Sequence, residues 1–155
     1  MTREQRHNCM SRIRGKDTRP EMVVRRWLHS EGFRYSLHSR RLPGCPDIVL
    51  RRYHTVIFIN GCFWHGHPGC DKFRMPRSNV EFWQEKIRRN KERDAQEVAA
   101  LEALGWNVIV VWECELSRRA RDLTLRNLVD AVRRNIEPES IHPIPLSVRK
   151  LSLKE

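Results

Sequence analysis

The chain has no run of about 18 consecutive apolar residues, so no segment of it is expected to cross a membrane as a helix. Its first residues, Met1-Thr2-Arg3-Glu4-Gln5-Arg6, lack the apolar stretch of a secretory signal, and residence in the cytoplasm is the expectation. No internal repeat or low-complexity tract is present, which excludes a repeat architecture. Acidic residues are in short supply. Nineteen Asp and Glu against thirty Lys and Arg leave a formal net charge of +11 and a pI near 10.2, the balance of a protein that binds polyanions, with nucleic acid the leading partner. Charge alone names no reaction. Five cysteines, an odd number in a reducing compartment, argue against a disulfide framework and leave metal ligation to those that cluster.

At 155 residues the chain fits one domain with a core of its own. Residues 1–19 form a basic arm carrying Arg3, Arg6, Arg12, Arg14, Lys16 and Arg19. Thr18-Arg19-Pro20-Glu21 has capping-box spacing with Pro early in the helix, and Met22, Val23, Trp27 and Leu28 supply an apolar stripe, predicting a helix to about Glu31. Gly32 ends it, and Phe33 to Leu37 alternates as a strand with one wet face. Leu42 to Pro46 is a turn. Asp47 to Leu50 and Thr55 to Ile59 read as neighbouring buried strands. Gly61 to Met75 has no periodicity and is a loop whose order needs a source other than core burial, which a bound metal would supply. Ser78-Asn79-Val80-Glu81 repeats the capping-box spacing before a long helix to Leu104. A strand over Trp106–Trp112, a helix over Leu123–Arg134 and an irregular tail over 137–155 complete the order. The fold class expected is α/β, a central mixed sheet flanked by helices.

Pro46-Asp47 sets a carboxylate at the start of a buried strand, where it is held rigidly. A hard cation such as Mg²⁺ binds through one or two carboxylates and a substrate phosphate, and the backbone carbonyl of Ile59 on the adjacent strand could join Asp47. The same dipeptide also simply begins strands and turns. Cys62, His67 and Cys70, with Cys114 just past a strand, offer the three thiolates and one imidazole of a closed Zn²⁺ site, although free cysteines also serve as small buried hydrophobes. Cys9 and Cys45 stand outside the set. His65 is the candidate general base, a neutral imidazole near pH 7; a substitute for His67 as ligand and a surface histidine are the other readings. Phe63 and Trp64 sit in a polar loop where they could wedge between bases, while Trp83 also fits the apolar stripe of its helix. That stripe puts Asn90 and Asp94 on an otherwise apolar face, either as supports for the loop or as a local pair. Glu21 satisfies a cap, and a carboxylate near a divalent cation could also orient a water.

With these residues in place, the chain resembles the very-short-patch-repair (Vsr-type) mismatch endonucleases, relatives of the restriction-endonuclease-like nucleases. The likeness runs from about Met10 to Glu115, through Leu42-Pro43-Gly44-x-Pro46-Asp47, Gly61-Cys62-Phe63-Trp64-His65, Glu81-Phe82-Trp83-x-Glu85-Lys86-Ile87, Glu92-Arg93-Asp94, Leu104-Gly105-Trp106 and Trp112-Glu113-Cys114. The resemblance implies a single nuclease domain that nicks one strand beside the T of a T:G mismatch left by deamination of 5-methylcytosine, using catalytic Mg²⁺ and structural Zn²⁺. It implies a double-stranded DNA partner carrying the mismatch and action as a monomer on DNA. By motif, Asp47 and the Ile59 backbone would hold Mg²⁺, His65 would activate the attacking water, and Glu21 would assist through a metal-bound water. Cys62, His67, Cys70 and Cys114 would hold zinc, Phe63, Trp64 and Trp83 would intercalate, and Met10 would reach the minor groove. Two departures stand out. Ile59-Asn60 replaces the Thr-His of the family pattern, so Asn60 occupies a catalytic position without a titrating ring, and Pro68-Gly69 alters the spacing from His67 to Cys70. A nuclease of the same fold acting on another DNA site or structure, and a zinc-stabilised DNA-binding module without catalysis, are the competing expectations.

Overall fold

The structure, a computed structural model, describes Thr2, Glu4, Gln5, His7, Asn8 and residues 15–135. Met10, the rest of the basic arm and the tail expected over 137–155 lie outside the described residues.

The chain enters through α1 (Arg19–Ser30) and passes β1 (Ser36–Leu37), β2 (Ile48–Leu50) and β3 (Thr55–Asn60). It then crosses through α2 (Val80–Ala103) to β4 (Asn107–Trp112) and ends its described course in α3 (Arg121–Arg134). The four strands form one sheet in the order β1-β2-β3-β4. The first three pair antiparallel, whereas β3 and β4 run parallel, as a strand pair joined by a crossover helix must. The expected mixed α/β sheet is thus observed.

Side chains alternate across the sheet. Ile48, Leu50, Ile57 and Val111 face α1 and α3, where Val24, Leu28, Leu125, Leu128, Val129 and Val132 complete the larger core. Val49 and Val56 face the other way and pack with Leu101 of α2, flanked by Leu42, Phe58, Trp106 and Val108. Burying side chains the size of Leu28, Leu50 or Ile57 contributes about 1.5–3 kcal/mol each. Among the described residues no helix is long and apolar enough to cross a membrane.

Three local expectations need correction. The buried face of α1 is Glu21, Val24, Arg25 and Leu28, so of the apolar stripe read from the sequence only Leu28 is fully covered, and two charged residues take core positions. The strand read over Phe33–Leu37 shrinks to Ser36–Leu37. The Phe33 N–H still closes α1 onto the Leu28 carbonyl at 3.0 Å, and Leu37 at this short edge is 39% exposed. The capping box at Ser78 does not form. Asn79 occupies the N-cap in a left-handed conformation, φ 52°, with no side-chain cap, which asparagine tolerates better than most residues.

Candidate active site and metal centre

Two strand registers bring the chemistry together. Leu37 lies opposite Ile48, so the next rung sets His38 beside Asp47, and the His38 N–H donates to the Asp47 carbonyl at 3.2 Å. At the same end of the sheet, on the far side of β3, Asn60 lies opposite Trp112. Two residues further along each chain stand Cys62 and Cys114, delivered side by side by parallel strands that end at the same level.

Asp47 follows the fully buried Pro46 at the end of a turn pressed against α2. Gly44 in that turn has φ 72°, and a Cβ there would stand 2.7 Å from Glu97 Oε2. The Asp47 Oδ2 accepts from the Ile59 N–H at 2.7 Å, so it is the amide of Ile59 that meets the carboxylate. Burial pushes the Asp47 carboxyl above its usual range, the Ile59 hydrogen bond opposes that rise, and the nearby Glu21 charge adds to it. Such a group gains from a cation that would favour its ionised form.

Glu21 is 3% exposed and heavily engaged. Its N–H reaches the Thr18 hydroxyl at 3.4 Å, its Oε1 accepts from that hydroxyl at 3.1 Å, and its Oε2 accepts from the Asp17 N–H at 3.1 Å. The capping relationship read from the sequence is present, with the carboxylate reaching one residue further back than in a standard capping box. Arg25 Nη2 donates to the same Oε2 at 2.8 Å, and Nη1 donates to Asp17 Oδ1 at 2.6 Å. Asp17, Glu21 and His38 do place ligand atoms within 4.8 Å of one another, but the Arg25 guanidinium already bonds both carboxylates.

His65 Nδ1 lies 2.6 Å from Asp94 Oδ2. An ionised carboxylate can only accept, so Nδ1 carries a proton, and in the neutral form of the ring Nε2 holds the lone pair. The tight turn around it is fixed by bonds from the His65 N–H to the Gly61 carbonyl at 3.2 Å and from the His67 N–H to the Cys62 carbonyl at 2.9 Å. Asn90 Nδ2 donates to the Trp64 carbonyl at 2.8 Å. Asn90 and Asp94 therefore support the loop, which decides between the two readings left by the sequence. Gly66 permits the approach: its φ is 58°, and a Cβ there would stand 2.7 Å from Ile87 Cγ2.

One cleft of about 1200 Å³ is lined by Glu21, His38, Asp47, Ile59, Asn60, His65 and Asp94. Lys16, Arg40, Lys91 and Arg93 also border it, with Glu97 and Glu102, and the four cations can meet a phosphodiester backbone. Sequence reasoning passed over Arg25 and His38. The first could have been found from its position four residues after Glu21, the second from its place opposite Asp47 in a hairpin.

Beside the cleft, ligand atoms of Cys62, His67, Cys70 and Cys114 lie within 4.8 Å of one another, with Cys114 Sγ 3.4 Å from His67 Nδ1. Tetrahedral zinc, at about 2.3 Å from sulfur and about 2.0 Å from nitrogen, needs donor edges of roughly 3.5–3.8 Å, so the donor set fits that ion. Burial, followed by the neighbouring Cys62 and Cys70 thiols, pushes the Cys114 thiol up to about 12. The His67 ring stacks on Trp112, with centroids 4.0 Å apart and planes 3° from parallel.

The aromatic residues gather on the outer side of the same loop. Phe63, Trp64 and Trp83 have centroid separations of 5.2, 5.4 and 6.0 Å, all three partly exposed, and the 58% exposed Phe82 adjoins Trp83 at 5.3 Å. The Lys86 ammonium lies 5.7 Å from the Trp64 ring and 5.9 Å from Trp83.

Comparison with known proteins places these features in a family. Residues 1–72 match the family described as DNA mismatch endonuclease Vsr. A type II nicking enzyme of Xanthomonas oryzae, V.XorIIP, is 49% identical over 128 residues, covering 82% of this chain and 93% of its own length. The type II nicking enzyme V.NmeAIP of Neisseria meningitidis is 50% identical over 119 residues, 77% of this chain and 84% of its own. DNA mismatch endonuclease Vsr of Escherichia coli is 41% identical over 116 residues, 75% of this chain and 74% of its own.

Proposed function

The chain belongs to the DNA mismatch endonuclease Vsr family and is a DNA endonuclease; on that premise we propose that it nicks one strand beside the T of a T:G mismatch, with Mg²⁺ as catalytic and Zn²⁺ as structural ion. The observation that carries this reading is the meeting, in one cleft, of a half-buried carboxylate, Asp47, and an imidazole, His65, oriented by Asp94.

Asp47, with the backbone of Ile59 beside it, would hold Mg²⁺, which supplies Lewis acidity toward the scissile phosphate. Glu21 sits in the same cleft as a second carboxylate to orient water. His65 Nε2 receives the proton of the attacking water while Asp94 holds Nδ1–H and stabilises the imidazolium that forms. Asn60 lines the cleft as an amide that donates and accepts hydrogen bonds without exchanging a proton. Cys62, His67, Cys70 and Cys114 would bind zinc and so tether the loop to the end of β4. Phe63, Trp64 and Trp83 would enter the stack beside the mismatch, where a mispaired step costs least to open. The whole forms a single nuclease domain on a restriction-endonuclease-like fold, acting as a monomer on cytoplasmic DNA.

The test is Mg²⁺-dependent nicking of matched and T:G duplexes of one sequence. Strand cleavage confined to the T:G duplex, lost in Asp47→Ala with duplex binding retained, is the expected result. Equal cleavage of both duplexes would assign the fold to another DNA substrate, and no cleavage of either would leave a zinc-stabilised binding module.

A further inference from the structure

Two carboxylates that line one cleft, as Glu21 and Asp47 do, repel each other unless a donor or a positive charge stands between them. Here that position is taken by Arg25 and His38, to which the reaction above assigns nothing. Arg25 lies one helical turn after Glu21 and is 6% exposed. Its Nη2 lies 2.8 Å from Glu21 Oε2 and 2.9 Å from His38 Nε2. A guanidinium has donors only, so His38 Nε2 must be the acceptor in that pair. The neutral ring then carries its proton on Nδ1, and Nδ1 is the atom that faces Asp47, 3.7 Å from Oδ1. Glu21 Oε2 also lies 3.4 Å from His38 Nε2 and favours the opposite tautomer, but that form would set an N–H against the guanidinium at the shorter distance of 2.9 Å and a lone pair against Asp47. The separation at Asp47 closes to a hydrogen bond with a movement of about 0.7 Å. The other oxygen of Asp47 is already fixed by the Ile59 amide.

We propose that Arg25 and His38 form a tautomer-locked clamp: Arg25 selects the Nδ1–H form of His38, and His38 in that form orients Asp47 relative to Glu21. His38 is a positioning residue and acts through Asp47. The functional half of this inference rests on the reading of Asp47 as a cation anchor; the tautomer does not.

The clamp is tested in the full-length protein by nitrogen NMR of ¹⁵N-labelled histidine, with the His38 signals identified by their loss in His38→Gln. The expected spectrum is that of a neutral Nδ1–H ring, which becomes a tautomer mixture in Arg25→Gln; an Nε2–H ring in the unsubstituted protein overturns the lock. Nicking kinetics on the T:G duplex then compare His38→Phe, which keeps a ring without nitrogens, with His38→Gln, whose amide carries one donor and one acceptor. Outer-sphere supports of this kind affect rate by about 10–100-fold. The Phe variant should lose kcat by that factor with KM within about twofold, and the Gln variant should regain most of it. A Phe variant as fast as the unsubstituted protein overturns the clamp alone. If the unsubstituted protein nicks nothing, the cation-anchor reading fails instead, and the NMR result still decides the tautomer.

Discussion

Two corners at one end of the sheet hold their functional groups by different physics. At the corner where β3 and β4 finish together, four side chains of strong ligand character converge, and a single ion would bind Cys62, His67, Cys70 and Cys114 at once. At the other corner, where β1 meets β2, Glu21, Arg25, His38 and Asp47 hold one another through charge and hydrogen bonds under partial burial. The zinc corner would draw its order from bonds to an ion. The carboxylate corner draws its order from the surrounding fold, and keeping acids there costs folding energy. A ligand set is therefore tied to stability, and a carboxylate site is tied to activity at some expense of stability.

The largest effect should come from breaking the zinc corner. Cys114→Ala leaves three donors, and because metal binding is folding free energy, thermal melting should fall by about 10 °C or more, with zinc per chain dropping in metal analysis. Unchanged zinc content and melting would remove the contrast between the two corners.

A smaller, purely kinetic effect is expected between them. Asp94→Asn leaves the shape of the 2.6 Å contact with His65 but lets the other tautomer form. Nicking should slow by about 100-fold or more, with melting nearly unchanged. A melting loss as large as that of Cys114→Ala would show Asp94 to be part of the scaffold.

The smallest effect should have the opposite sign. Burial holds the Asp47 carboxyl above its usual range, so the folded protein binds its proton more tightly than the unfolded chain does. Stability from this group is then greatest at low pH and falls as pH rises from the ordinary carboxylate range through the raised value. In metal-free protein at pH 7, Asp47→Asn should raise the melting temperature by about 2 °C, and the gain should vanish below pH 4. A lower melting temperature in that variant would mean that the carboxylate corner stabilises the fold.

The zinc corner was legible because its residue types are uncommon and chemically committed, so that Cys62, His67, Cys70 and Cys114 could be grouped before any contact was known. Asp94 was legible as well, since a carboxylate on the stripe of Ile87 and Leu101 needed a partner, and His65 is that partner. Arg25 and His38 were not. Each is an ordinary residue in isolation, and the buried face of α1 differs from the apolar stripe that Met22, Val23, Trp27 and Leu28 suggest. The cap at Asn79 was misread for a related reason: Ser78 has the side chain for the role, but the chain turns left-handed one residue later.

By itself the sequence determined the order of helices and strands, through periodicity and turn residues, and the kinds of atoms available for ligation and proton transfer. Only the tertiary structure decided which of them meet. Pairing Asn60 with Trp112 brings Cys114 to Cys62 across more than a third of the chain, and pairing Leu37 with Ile48 brings His38 to Asp47. Strand register depends on how both faces of the sheet are buried against α1, α2 and α3, a property of the whole fold rather than of any one segment.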